Sequence, residues 1–160
     1  IMNIVDRFIA LLDTAIRRRF DFVEMLPQPE LFHDTYVEDV SIEALLATIN
    51  KRIEILCDRE HTIGHAYFMP LKASPTVETL AEIFTNNIVP LLQEYFYEDY
   101  EKIRLVLGDN RKSNPEEQFI VAKENDYAEL FGDIEVGLDD GYSYEINDAA
   151  FGNIEAYRSI

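Results

Sequence analysis

From Ser41 onward the apolar residues Ile42, Leu45, Leu46, Ile49, Ile53 and Leu56 recur at helical spacing. A chain with that recurrence has to place them on one stripe of an α-helix and bury the stripe against other elements. Ser41 stands directly before it, where a side-chain oxygen can accept from the orphan backbone donors of the first turn. A second such pattern runs from Val77 to Tyr97, with Leu80, Ile83, Phe84, Ile88, Leu91, Leu92 and Tyr95 on one side. Pro90 falls inside it. An interior proline costs about 3 kcal/mol, so the sequence predicts a kink or a second helix start there. Helix is expected to continue from Glu98 to Leu107, with Gly108 as a left-handed C-cap. Between the two patterns, Asp58 to Phe68 begins as a polar loop and turns aromatic, which predicts a short helix ending before Pro70.

The flanks read differently. Phe8, Leu11, Leu12, Ala15 and Ile16 recur at helical spacing after an apolar start, and Phe20 to Leu26 alternates up to Pro27. This predicts a β-α-β edge over residues 1–27, with a linker or domain boundary near Leu26 to Pro29, where two prolines remove ladder donors. Past Gly108, the polar run to Pro115 predicts a loop. Gln118 to Ala122 and Tyr142 to Ile146 are short strand candidates around the acidic stretch Phe131 to Gly141. The pattern as a whole is mainly α.

Charge and cysteine usage narrow the function. The 160 residues hold 14 basic and 31 acidic side chains, a formal net charge of -17. Such a surface repels DNA phosphates over most of its area, so this segment is a poor DNA grip. Against that background Arg17, Arg18 and Arg19 form a local reversal of sign. Cys57 is the only cysteine, which suits a reducing, cytoplasmic compartment, and no run of residues is apolar enough to predict a membrane span.

Specific motifs add to this. Met2-Asn3-Ile4-Val5-Asp6-Arg7 followed by Leu12-Asp13-Thr14-Ala15-Ile16-Arg17-Arg18-Arg19-Phe20 resembles the second half of an AAA+ core. The form is narrower than the general pattern and is similar to the McrB family, the GTPase subunits of methylation-dependent McrBC restriction systems. Ile4 and Val5 stand where Thr and Ala are commoner. The block Asp58-Arg59-Glu60-His61-Thr62-Ile63-Gly64-His65-Ala66-Tyr67-Phe68 resembles a lid segment of the same family, and the likeness extends through the run ending at Asn110.

The resemblance implies roles residue by residue. Asn3 would be the sensor 1 polar residue, and Arg18 or Arg19 an arginine finger aimed at a neighbouring subunit's nucleotide. A guanidinium there stabilises charge on a transferring phosphoryl group, an effect of about 10³ to 10⁵ in rate. Asp6 and Arg7 would lie near nucleotide or the subunit boundary, and Gly64 and His65 would contact nucleotide from the lid. Each has a plainer reading. Arginines at a helix C-terminus complement its dipole, Asp6 can cap a helix, and His65 can simply be hydrogen-bonded. His61 and His65 are four apart, but Thr62 stands where a zinc protease needs glutamate, so no metal site is expected. The cluster from Tyr95 to Tyr100 is either an exposed partner surface or core with a solvated edge.

Neither a G-x-x-x-x-G-K-[ST] loop nor an acidic Walker B strand occurs in the sequence, so this segment alone is not expected to hydrolyse nucleotide. The resemblance implies three parts: 1–28 as the C-terminal edge of an AAA+ nucleotide-binding core, 29–108 as a helical lid, and 109–160 as an acidic C-terminal extension. The phosphate-binding half would lie upstream of Ile1. In the intact protein GTP, or ATP, with Mg²⁺ would power a homo-oligomeric ring. An McrC-like endonuclease would be its partner, and DNA with 5-methylcytosine would be met only through other domains. Two rivals remain: a stand-alone acidic helical interaction module, and a remodelling AAA+ ATPase outside restriction.

Overall fold

The computed structural model describes residues 26–125, 132 and 141–160. The expected β-α-β edge, and with it Asn3, Asp6, Arg7, Arg18 and Arg19, lies outside the described residues, as does most of the acidic stretch before Gly141.

A 3₁₀ turn at Pro29–Phe32 leads into a hairpin of two-residue strands, β1 (Tyr36–Val37) against β2 (Val40–Ser41), antiparallel. Helix α1 spans Ile42–Leu56, and Ser41 Oγ accepts from Ala44 N at 3.3 Å as the cap chemistry requires. Its stripe is buried as the spacing predicts: Ile42, Leu46, Ile49 and Ile53 have no exposed surface. Each such side chain removed from water contributes about 1.5–3 kcal/mol, which is why a helix of this length holds here.

The short helix predicted to stop before Pro70 instead runs through it, as a 3₁₀ helix at His65–Lys72 that buries Phe68 and Leu71. Pro70 offers no N–H to this helix, but its carbonyl accepts from Ala73 N and Ser74 N at 3.1 and 3.0 Å. Pro90 acts as expected, by a specific device. Helix α2 (Val77–Ile83) passes through one π turn (Phe84–Ile88) into α3 (Val89–Tyr95), and Pro90 sits in the first turn of α3. The wider turn accommodates the proline ring and keeps Phe84, Ile88, Val89 and Leu92 buried.

Helix does not continue at Glu98. Tyr97 and Glu98 adopt φ of 52° and 62°, so α3 ends, and α4 (Tyr100–Leu107) starts afresh with Asp99 as its cap. No glycine or proline announces this break. Left-handed backbone costs a non-glycine residue about 1–2 kcal/mol. The reversal keeps Phe96 buried at 5% exposure while turning Tyr97 out at 81%, so the aromatic cluster divides into a core side and a solvated edge. Gly108 does cap α4, at φ 73°. A Cβ there would stand 2.8 Å from the Ser159 carbonyl oxygen, so both conformation and packing demand glycine.

Beyond α4, strands β3 (Ile120–Glu124) and β4 (Tyr142–Ile146) pair antiparallel, with Ile120 opposite Ile146. Two short helices follow, α5 (Asp148–Phe151) and α6 (Ile154–Arg158), which the sequence reading did not anticipate. Their apolar side chains join the same core as the central helices. Phe84 packs against Phe119 at 5.7 Å and against Tyr157 at 4.9 Å between ring centroids, and Phe68 links Phe84 to Phe32. Residues after α4 therefore share one core with the helices before them, through aromatic edges and faces. Among the described residues, no helix is long and apolar enough to cross a membrane.

Candidate functional site in the loop after the first helix

The segment singled out in the sequence, Asp58 to His65, leaves the end of α1 as a loop. Cys57 caps the helix, its N–H bonding Ile53 O at 2.8 Å, and its backbone (φ -130°, ψ -92°) turns the chain off the axis. Asp58 then caps a 3₁₀ turn, Arg59–His61. Its Oδ1 accepts from Glu60 N at 2.8 Å, His61 N at 3.0 Å and His61 Nδ1 at 2.7 Å. Those bonds, led by the one from the His61 side chain, hold the Asp58 carboxyl below the usual aspartate range. The His61 ring also stands edge-on to Tyr95, centroids 4.9 Å apart.

What fixes the far end of the loop is Asn50. Its Oδ1 accepts from Ile63 N at 2.6 Å and its Nδ2 donates to Ile63 O at 2.9 Å, a two-point clamp that is buried. Ile63 itself has no exposed surface. The clamp satisfies backbone groups that a buried loop would otherwise leave orphaned. Asn50 escaped the motif reading, yet it carried a signal. It lies three and four residues from Ile53 and Leu46, inside the apolar stripe, where a polar side chain needs a dedicated partner.

The clamp sets Gly64 and His65. Gly64 has φ -67° and ψ 142°, which any residue adopts, and a Cβ built on it would meet no atom of the described residues within 4 Å. Neither backbone strain nor packing within the described residues asks for glycine. His65 Nδ1 accepts from Gln28 N at 3.2 Å, tying the loop to the residue before the Pro29 turn. The plain reading of His65 as a hydrogen-bonded residue therefore holds. With Nδ1 engaged as acceptor, the neutral ring carries its proton on Nε2, which remains a donor. His61 and His65 do not converge: one faces Asp58 and Tyr95, the other Gln28.

These residues lie inside a recognisable unit. Residues 41–104 match the family described as McrB, alpha-helical lid domain. The Type IV methyl-directed restriction enzyme EcoKMcrB subunit of Escherichia coli (strain K12) is 34% identical to this chain over 130 residues. The chain is of the McrB type. The matched stretch makes up 69% of this chain and 28% of that relative. The McrB lid match takes in Asn50, the whole Asp58–His65 loop and Tyr95, whereas Gln28, the partner of His65, precedes it. In this McrB-type chain the loop is thus built by lid residues and bonded through His65 to Gln28, which precedes them.

Proposed function

We propose that this chain is the lid-bearing part of a McrB-like restriction subunit, an AAA+ motor that hydrolyses GTP, or ATP, and drives DNA translocation for methylation-dependent restriction. The observation that carries this reading is the McrB lid match over residues 41–104 together with 34% identity to a restriction enzyme subunit. In this reading Asn3 positions the attacking water, and Arg18 or Arg19 reaches a neighbouring protomer's terminal phosphate in a ring. Asp6 and Arg7 line the nucleotide or the subunit boundary. From the lid, Gly64 offers an open face and His65 a ring donor, chemistry suited to the edge of a nucleotide rather than to cradling its phosphates. Bound GTP with Mg²⁺ supplies the phosphoryl group and its charge, and the residues holding them belong to the rest of the motor. An McrC-like endonuclease is the partner, DNA is met through other domains in keeping with the net charge of -17, and the compartment is the cytoplasm.

The test uses the full-length protein. Arg18→Ala or Arg19→Ala should lower nucleotide turnover by about 10³ while nucleotide binding stays largely intact. Mixing the affected variant with a subunit disabled in its own phosphate loop should restore part of the activity, because the arginine then acts across the interface. Unchanged turnover in both variants removes the arginine finger. Loss without rescue on mixing places its action within one subunit.

A further inference from the structure

The same loop brings together three side chains that the nucleotide reading does not use. Cys57 Sγ, a carboxylate oxygen of Asp58 and a ring nitrogen of His61 all lie within 4.8 Å of one another. The turn of the chain at Cys57 and the 3₁₀ turn that follows fold the sequence Cys57-Asp58-Arg59-Glu60-His61 back on itself, so residues at spacing 1 and 3 face a common point.

We propose that Cys57, Asp58 and His61 bind a borderline-soft divalent cation of the Zn²⁺ class, one per chain, at the C-terminal end of α1.

The donor set selects the metal. A thiolate and an imidazole with one carboxylate suit Zn²⁺, whereas Mg²⁺ and Ca²⁺ take oxygen ligands and would leave the sulfur and nitrogen unused. The placement adds an electrostatic reason. Helix α1 has 15 residues and no basic side chain in its last turn. The partial negative charge of its terminal carbonyls therefore has no cation in the helix's own last turn. The cations nearby are Arg59 on the turn itself and Lys102, whose ammonium is 2.9 Å from Asp99 Oδ2.

The ligands are also arranged in advance. The His61 side chain is 22% exposed and held between Asp58 and the Tyr95 ring edge, so its rotamer is set before metal arrives. Two backbone N–H groups and His61 Nδ1 occupy Asp58 Oδ1, while Oδ2 stands 3.8 Å from Cys57 Sγ. The cation takes the place of the thiol proton in that contact: Cys57–SH and M²⁺ give a Cys57–S–M bond and a released H⁺. Asp58 and His61 supply two more ligands, and water completes the coordination shell. A cation held there would clamp the end of α1 to the loop leading to Gly64.

The direct experiment titrates Zn²⁺ and Co²⁺ into the metal-free chain, followed by calorimetry, Co²⁺ absorption and thermal melting. One equivalent should bind, with a thiolate-to-Co²⁺ charge-transfer band, and saturating Zn²⁺ should raise Tm. Cys57→Ser, at an exposed position, should abolish the band, and both it and His61→Gln should weaken binding at least about tenfold. His65→Gln, four residues on and facing Gln28, should bind as the wild type does. Absence of the thiolate band, or equal affinity in all four proteins, would overturn the assignment. Because no readout involves nucleotide, the outcome is independent of the motor reading.

Discussion

Two aspartates in this chain begin the same local motif and end in opposite roles. Asp58 and Asp109 each open a 3₁₀ turn and each pair with a basic side chain three residues on, His61 and Lys112. Asp109 and Lys112 have no exposed side-chain surface. Every acceptor of Asp109 is spent: Oδ1 on Lys112 Nζ at 2.8 Å and Phe119 N at 3.0 Å, Oδ2 on Ile120 N at 2.8 Å. Lys112 Nζ also lies 4.1 Å over the Phe119 ring. Burial pushes the Asp109 carboxyl up and the Lys112 ammonium down from their ordinary values, and the pair's mutual attraction opposes both shifts. In contrast, the Asp58 side chain is 47% exposed and keeps an oxygen beside a thiol. Burial converts one motif into a knot that joins β3 to the helical body, and exposure leaves the other as a place where ligands can arrive.

The largest expected effect breaks the knot. Asp109→Ala strands a buried ammonium and two backbone donors, so it should cost about 3–5 kcal/mol in chemical denaturation. Replacing Asp109 and Lys112 together by apolar residues of similar volume should recover the part of that loss due to the ammonium, while Phe119 N and Ile120 N stay unpaired. Equal costs for the single and the double change would mean that the pair is not the source. Next comes the clamp on the open loop. Asn50→Ala removes both bonds to Ile63 and should cost about 1–3 kcal/mol. Hydrogen exchange at the Ile63 amide should accelerate more than exchange in the middle of α1. Uniform acceleration would show that Asn50 supports the helix rather than the loop.

How much of this was legible in the sequence follows the same division between local and distant causes. The α1 stripe with its Ser41 cap and the C-cap at Gly108 rest on local periodicity and local backbone preference, and both stand where expected. Strands β3 and β4 were placed to within two residues at each end. The reversal at Tyr97 and Glu98 was not legible, since it goes with the burial of Phe96 and has no permissive residue to mark it. Nor was the knot: Asp109 and Lys112 sit in a run that reads as polar loop, and only Phe119 and Ile120, ten residues on, make them interior. Arg52 is a third case, an ordinary helix-surface arginine in sequence that donates to Val106 O at 2.8 Å and to Ile160 O in the structure. Among the proposed nucleotide contacts, Gly64 and His65 rest on motif resemblance. Asn50, which holds them in place, needed the coordinates.

Gly64→Val in the full-length protein tests the functional half of the comparison most directly. The position has an ordinary backbone conformation and an open Cβ direction, so lid stability should change by no more than about 1 kcal/mol. If that open face receives the nucleotide, turnover should fall about tenfold or more at unchanged thermal stability. Wild-type turnover in a variant that melts like the wild type would contradict the assignment of this loop to the nucleotide.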